Sequence, residues 1–408
     1  MRRIFPGWIV VGAAFAVMFL GFGTGYSFGA FFHPLEREFA ARRGDLSIVF
    51  AIASALYFAL GLATGPAADR WGSRRVGGVG MAVMATGLAL CSRADALWQV
   101  YLAFGVAVGI GVGCTYVPSL LAVQPWFLRR RAFATGVAVA GIGAGTLALP
   151  PATALVIEAV GWRGTCLVLA AATVLVGGLS VLALDGRPAR RGWGPDGSAA
   201  TAESGRSASA GTDFATARRS APFRLMTLIA LLTSFGVFVP FVHLTPRAID
   251  HGVPEQLAAG LIGAIGFGSL VGRFAVGAVA DRAGSRRTIV WVMAAQVVLH
   301  LLWLVSDRLW MLTIFAVGFG ASYGGYVALL PTMLTDYFGA RSIGAIMGAV
   351  FSSVAVGCLL GPPLAGFAYD ATGSYAWPIV GCALLTAGAV AAALRLPEPG
   401  RWRDAGGR

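Results

Sequence analysis

The 408-residue sequence predicts an all-α membrane protein with twelve transmembrane helices in two pseudo-symmetric six-helix bundles. Three observations carry that prediction. Hydrophobic residues make up 57% of the chain and charged residues 12%, against about 25% charged in a soluble domain, and mean hydropathy is +0.76. The apolar residues come in runs of about twenty, the length that crosses about 30 Å of hydrocarbon at 1.5 Å per residue. A charged motif also occurs twice, at the same place in each half. A water-soluble globule is excluded by this composition.

The first six spans read as 7–32, 46–67, 76–92, 97–121, 132–155 and 164–184. The first has too long an apolar stretch for a cleaved signal peptide, and no small-residue cleavage site follows it. Residues 185–221 are rich in Ser, Ala, Gly and Thr, lack an apolar period, and read as a flexible cytoplasmic linker. Beyond it come spans at 222–245, 257–280, 288–305, 309–335, 342–368 and 374–396. The chain therefore divides into an N-terminal bundle (1–184), the linker, and a C-terminal bundle with a short cytoplasmic tail (222–408).

An even number of spans puts both termini on one side. If that side is cytoplasmic it holds 23 arginines, the outer side holds 7, and one lies within the membrane. This positive-inside bias predicts a multi-pass protein of a bacterial-type inner (plasma) membrane with both termini in the cytoplasm. It also accounts for the net charge of +13, carried entirely by arginine among the basic residues. The arginines cluster between apolar runs and not on a soluble face with interleaved aromatics, so no nucleic-acid partner is expected.

The five cysteines, Cys91, Cys114, Cys166, Cys358 and Cys382, all fall inside apolar segments without a CxxC pair or a histidine at ligand spacing. No disulfide framework, metal site or cofactor is expected. The run G-I-G-V-G at 109–113 lies within a long apolar span, whereas a dinucleotide loop must join a strand to a helix. No catalytic constellation accompanies it, and no enzyme activity is expected. The partners expected are a lipid bilayer and a small solute, for a monomeric protein.

The repeated motif reads G-P-A-A-D-R-W-G-S-R-R at 65–75 and G-A-V-A-D-R-A-G-S-R-R at 277–287. It resembles the signature loop of the major facilitator superfamily, and the resemblance extends over the whole chain in span number, in-phase repeat and linker position. It implies two six-helix bundles that rock about a central site. In each copy an aspartate, Asp69 or Asp281, ends a helix where Arg70, Arg74 and Arg75, or Arg282, Arg286 and Arg287, begin. Such a cluster is suited to latch the outward-open state, by Asp to Arg pairing and by capping a neighbouring helix. Topology alone explains the arginines, but not the placed aspartates and glycines.

What differs between the halves speaks to the substrate. The repeat aligns Arg273 with Gly61. Arg273 lies eight residues before Asp281, about 12 Å inward and near the bilayer midplane. A charge there costs about 2.5 to 3.5 kcal/mol, and no mid-span Asp or Glu neutralises it. An anionic substrate supplies the missing charge. Small neighbours, Gly266, Ser269 and Gly277, leave room on the same face. A guanidinium holds a carboxylate by two parallel hydrogen bonds, which points to a small organic anion. The bland alternative ties Arg273 to backbone carbonyls. Tyr116, Cys114, Tyr323 and Tyr326 lie at comparable depth, and His243 towards the outer end of the seventh span is a candidate proton carrier. For each the alternative is packing.

Further motifs narrow the resemblance: Gly7-Trp8 opening the first span, W-F-L-R-R-R-A-F-A-T-G-V-A-V-A-G-I-G-A-G at 126–145, D-Y-F-G at 336–339, and G-P-P-L-A-G-F-A-Y-D-A-T-G-S-Y at 361–375. Together these resemble the monocarboxylate transporter family and its bacterial relatives, which include the oxalate/formate antiporters. The resemblance implies transport of lactate- or pyruvate-like acids, with Arg273 holding the carboxylate and with Tyr116, His243 and Tyr323 in places similar to those lining the bacterial lactate site. Animal members pair the arginine with an aspartate where this chain has Ser269, and carry a first-span lysine near the region of Tyr26. This chain has no lysine at all, so proton coupling would use His243 or the substrate's own carboxyl group.

Within transport, an oxalate/formate type antiporter is the alternative, although a single central cation fits a monoanion better than a dianion. A drug/proton antiporter would need a Gly-Pro step where 141–145 reads G-I-G-A-G. A non-transporting membrane sensor is the remaining alternative.

Overall fold

The computed structural model describes residues 5–127, 130–188, 193–194, 196, 211–339 and 342–399. The chain forms two compact units, one of Met1–Ala41 with Ile48–Ser204, the other of Arg42–Ser47 with Gly205–Arg408.

In the first unit α1 (Pro6–Tyr26) opens on a proline, whose missing N–H costs nothing at a helix start. Ser27 keeps helical dihedrals, so α2 (Phe28–Phe39) continues α1 as one apolar segment. Helix α3 (Arg43–Trp71) begins in the six-residue piece assigned to the second unit and runs on into the first. Gly72, at φ 88, then turns the chain into α4 (Ser73–Cys91), a backbone conformation that favours glycine. Next come α5 (Leu97–Val100), a π-helical turn at Tyr101–Val106, α6 (Ala107–Gly113) and α7 (Tyr116–Val123). Helix α8 (Arg131–Ala172) contains Gly161 at φ 72 and ψ 168, which breaks it into two; a second π-helical turn and α9 (Gly178–Leu182) complete the unit.

The second unit contains α10 (Phe214–Ala217), α11 (Ala221–Asp250), α12 (Glu255–Ala283), α13 (Ser285–Leu304), α14 (Leu309–Phe338), α15 (Ile343–Thr372) and α16 (Ala376–Leu394). Gly284, at φ 85, does between α12 and α13 what Gly72 does between α3 and α4. Ten segments among the described residues are long and apolar enough to cross a membrane. One of these, Phe133–Leu182, is divided at Gly161, and α4, which opens with Arg74 and Arg75, adds another, giving twelve. No strand occurs among the described residues, only an isolated bridge between Gly211 and Gly339.

Helices run past the apolar stretches, by three and four residues at the two ends of 46–67, observed as Arg43–Trp71. Hydropathy detects the hydrocarbon, while the backbone hydrogen-bond ladder continues into the charged border. The end of the expected linker is also structured. Asp213 caps α10 by accepting from the Thr216 N–H at 3.1 Å, Ser220 caps α11, and the Thr212 N–H donates to the Phe338 carbonyl at 2.8 Å. Residues 197–210 of that linker lie outside the described residues.

Small residues set the closest helix approaches. In the first unit the backbone of Phe15 and Phe19 on α1 sits against Gly141 and Gly145 on α8. In the second, Gly268 and Gly272 of α12 lie against the Val317 and Ala321 backbone of α14, and Gly320 and Gly324 return the contact. A methyl group at any of these would collide with main chain, the small-residue packing expected where lipid surrounds the helices. Large apolar side chains such as Leu179, Phe274, Val298 and Leu384 point outwards, as a bilayer permits.

Candidate functional site

In the second unit the α12–α14 crossing places Arg273. It follows Gly272 directly, is half-buried, and its nearest acidic neighbours along α12 are Glu255 and Asp281, at the helix ends. Ser269, one turn earlier, is buried with its carbonyl against Gly324. From α14, Tyr323 is wedged edge-on between Phe238 and Phe241 of α11, with ring centroids 6.4 and 5.4 Å apart. Tyr326, 6% exposed, has no hydrogen-bond partner for its hydroxyl among the described residues and lies beside Cys358 of α15. Arg273, Ser269, Tyr323 and Tyr326 are thus carried by one tightly packed helix pair.

In the first unit Tyr116 stands at a break. Pro118 has no N–H to bond the Cys114 carbonyl one turn back, so the helix is interrupted at Cys114 and Thr115 and restarts at Tyr116. Side chains satisfy the freed backbone: Thr64 donates to the Gly113 carbonyl at 3.2 Å. Tyr116 packs edge-on against Phe22, which also meets Tyr57. Interrupted helices of this kind supply polar groups at membrane depth.

Two candidates sit in other surroundings. Cys114 packs with Ala68 and Val76 in an apolar cluster and lies against Gly80, as a small core residue does. His243 is fully buried and hydrogen-bonds to Tyr375, Pro362 and Ser47, at 3.1, 2.9 and 3.1 Å. The Pro362 carbonyl only accepts, so Nε2 carries the proton and Nδ1 accepts from the Tyr375 hydroxyl. Neutral imidazole satisfies this arrangement.

The same network holds the polar cluster that sequence reading missed. Within the second unit Arg43, 7% exposed, grips Asp250 through both terminal nitrogens at 2.6 and 2.7 Å, donates to the Tyr375 hydroxyl at 3.0 Å, and lies 4.3 Å over the Tyr369 ring. Asp370 accepts from the Arg43 and Gly44 N–H groups at 3.1 and 2.8 Å, so a carboxylate of α15 caps the start of α3. The run at 361–375 therefore has a structural role through Tyr369, Asp370 and Tyr375. Its sequence signal was present, but its partners are more than a hundred residues away.

The repeated loops are built alike and engaged differently. Asp69 and Arg70 end α3, Asp281 and Arg282 end α12, and neither α4 nor α13 has a side-chain cap. In the first unit Asp69, Arg70, Arg74 and Arg75 line a cavity of about 1150 Å³ with Asp185 and Arg187. In the second, Arg286 donates to the Leu394 carbonyl at 2.8 Å and lies 3.9 Å from Glu398, while Ser285 donates to Asp336 at 2.7 Å. No group of three or more His, Cys, Asp or Glu among the described residues is arranged to hold a metal.

Comparison with known proteins adds the following. The Major Facilitator Superfamily model matches residues 13–305 and 261–408. Human monocarboxylate transporter 11 is 31% identical over 382 residues, covering 90% of this chain and 78% of that protein. Monocarboxylate transporter 3 of Rattus norvegicus is 31% identical over 375 residues (90% and 75%), and monocarboxylate transporter 13 of Bos taurus 30% over 387 (94% and 87%). Among solved structures, a bacterial homolog to the human lysosomal transporter Spinster, in an inward-facing and occupied conformation, superposes with a TM-score of 0.73 at 16% identity, covering 97% of each chain. The unoccupied form gives 0.69 at 17%, a likeness of fold.

Proposed function

As a member of the monocarboxylate transporter family within the Major Facilitator Superfamily, the chain is a membrane transporter and not an enzyme, and we propose that it moves a lactate- or pyruvate-like monocarboxylate together with a proton by alternating access. The observation that carries this reading is Arg273, a guanidinium midway along an apolar helix whose acidic residues lie only at its ends. A monocarboxylate presents two acceptor oxygens that match the planar fork of a guanidinium. Ser269, Tyr323 and Tyr326, carried by the same helix pair, offer further polar contacts. The names of the relatives support the same substrate class.

In this reading the proton travels with the acid itself. His243 already has both ring nitrogens engaged in its neutral form, and α12 offers no mid-span carboxylate. The absence of that carboxylate also favours a second reading, exchange of one organic anion for another. Both termini lie in the cytoplasm in either case, as the arginine distribution supports.

The test is uptake of radiolabelled lactate and pyruvate into proteoliposomes, with and without an inward proton gradient or internal oxalate, formate or lactate. Gradient-stimulated uptake that Arg273→Gln lowers about a hundredfold, roughly 3 kcal/mol, is the expected result. Uptake driven only by an internal anion selects exchange. Transport of neither acid, or transport indifferent to Arg273, removes the monocarboxylate assignment.

A further inference from the structure

We infer that the outer face of the first unit carries a discrete phospholipid site, with an acyl chain in the groove between α4 and the π-helical turn that joins α5 to α6, and an anionic headgroup on Arg93. The groove encloses about 640 Å³, within the roughly 300 to 1,000 Å³ of small-ligand sites. Its floor is set where α4 touches the following span: a side chain at Gly87 would meet Ala107 and the Ala103 backbone. One wall contains the π-helical turn Tyr101–Val106, a feature frequent at functional sites. Along α4 the row Ala82, Thr86 and Leu90 is exposed, and Leu102 and Trp98 (56% and 60% exposed) form the opposite wall. In a membrane-embedded chain such a face meets acyl chains.

The end of the groove decides the occupant. Arg93 follows directly on the C-terminal cap of α4, is exposed, and has no carboxylate within ion-pair distance among the described residues. Trp98 and Gln99 stand at the same end. An indole beside a guanidinium where a span leaves the hydrocarbon is the arrangement of a headgroup boundary. The positive charge complements a phosphate with no second cation of its own, hence an anionic phospholipid in preference to a zwitterionic one. One such arginine is worth about a fivefold preference.

Native mass spectrometry of the full chain, delipidated in detergent and titrated with phosphatidylglycerol or phosphatidylcholine, tests the assignment. Wild type is expected to bind phosphatidylglycerol about fivefold more tightly. Arg93→Gln brings the two lipids level, and Thr86→Trp, which fills the groove from its exposed side, weakens both. Ala82→Phe, one turn along the same row, serves if Thr86→Trp does not fold by circular dichroism and size exclusion. Equal binding of the two lipids by wild type, or a preference that survives Arg93→Gln, overturns the headgroup assignment. Lipid binding unaffected by the groove-filling variants, or a dimer that those variants abolish, overturns the groove as a lipid site.

Discussion

At the scale of single residues, the chain buries charge in one place with compensation and polarity in another without it. Arg43 has a bidentate carboxylate, a hydroxyl and an aromatic face. Removing one partner of such a pair costs about 3 to 5 kcal/mol, and the lower end applies because the Asp250 side chain is 27% exposed. Asp250→Asn is therefore expected to lower stability by about 3 kcal/mol in thermal denaturation in detergent, whereas Arg43→Met with Asp250→Leu recovers most of it. Gln296 presents the opposite case. It is fully buried, and neither its amide oxygen nor its nitrogen has a partner among the described residues. Because each unsatisfied buried group costs about 1 to 3 kcal/mol, Gln296→Leu should raise the melting temperature. A fall would mean that the amide is engaged, by water or by a moving element. Neither feature was legible in the sequence: Arg43 reads as one more border arginine, and spacing does not reveal which residue two hundred positions away will meet it.

At the scale of elements, the sequence exposes what depends on local chemistry. The glycines that turn the chain after α3 and α12 lie in the repeated motif, and the proline that interrupts the fourth span lies two residues beyond the restart at Tyr116. The π-helical turns and the Gly161 break carry no comparable signal, because a single glycine in an apolar run is equally compatible with a straight helix. Expected spans fell short of the helices for a related reason, since hydropathy ends where the hydrocarbon does. The short helix α10 was missed altogether in a stretch of low-complexity composition, although Asp213 and Thr216 hold the spacing of a cap. Hydrogen bonds from the Thr216 hydroxyl and then its N–H hold the Asp213 carboxyl below its ordinary range. Its cap is therefore fully present above the ordinary carboxylate pKa and is lost as pH falls through the lowered value. Protection of the Thr216 amide, its exchange rate relative to the intrinsic rate at the same pH, should fall on acidification, and Asp213→Ala should remove that pH dependence.

At the scale of the whole molecule, span number and the repeat were legible because each rests on length and periodicity, and the candidate site was legible only where a charge stands in an apolar run. Arg273 announced itself in that way; Tyr326 and Cys358 required the helix packing. The repeated loops show the limit of reasoning from symmetry. Matching sequences place Asp69 and Asp281 alike, yet Arg286 is held within its own unit by the Leu394 carbonyl and Glu398, while Arg70, Arg74 and Arg75 line a cavity with Asp69. A loop that biases a conformational equilibrium without touching substrate alters the rate of turnover more than apparent affinity. Asp69→Asn is accordingly expected to lower the maximal uptake rate several-fold, on the order of 1 kcal/mol, with little change in half-saturation. Arg286→Gln should have the smaller effect on transport, because its contacts secure the end of α16 instead. Its expected signature is faster tryptic cleavage at Arg395. Normal transport by Asp69→Asn would end the gating role of that loop, and unchanged cleavage of Arg286→Gln would mean that its contacts do not hold the tail.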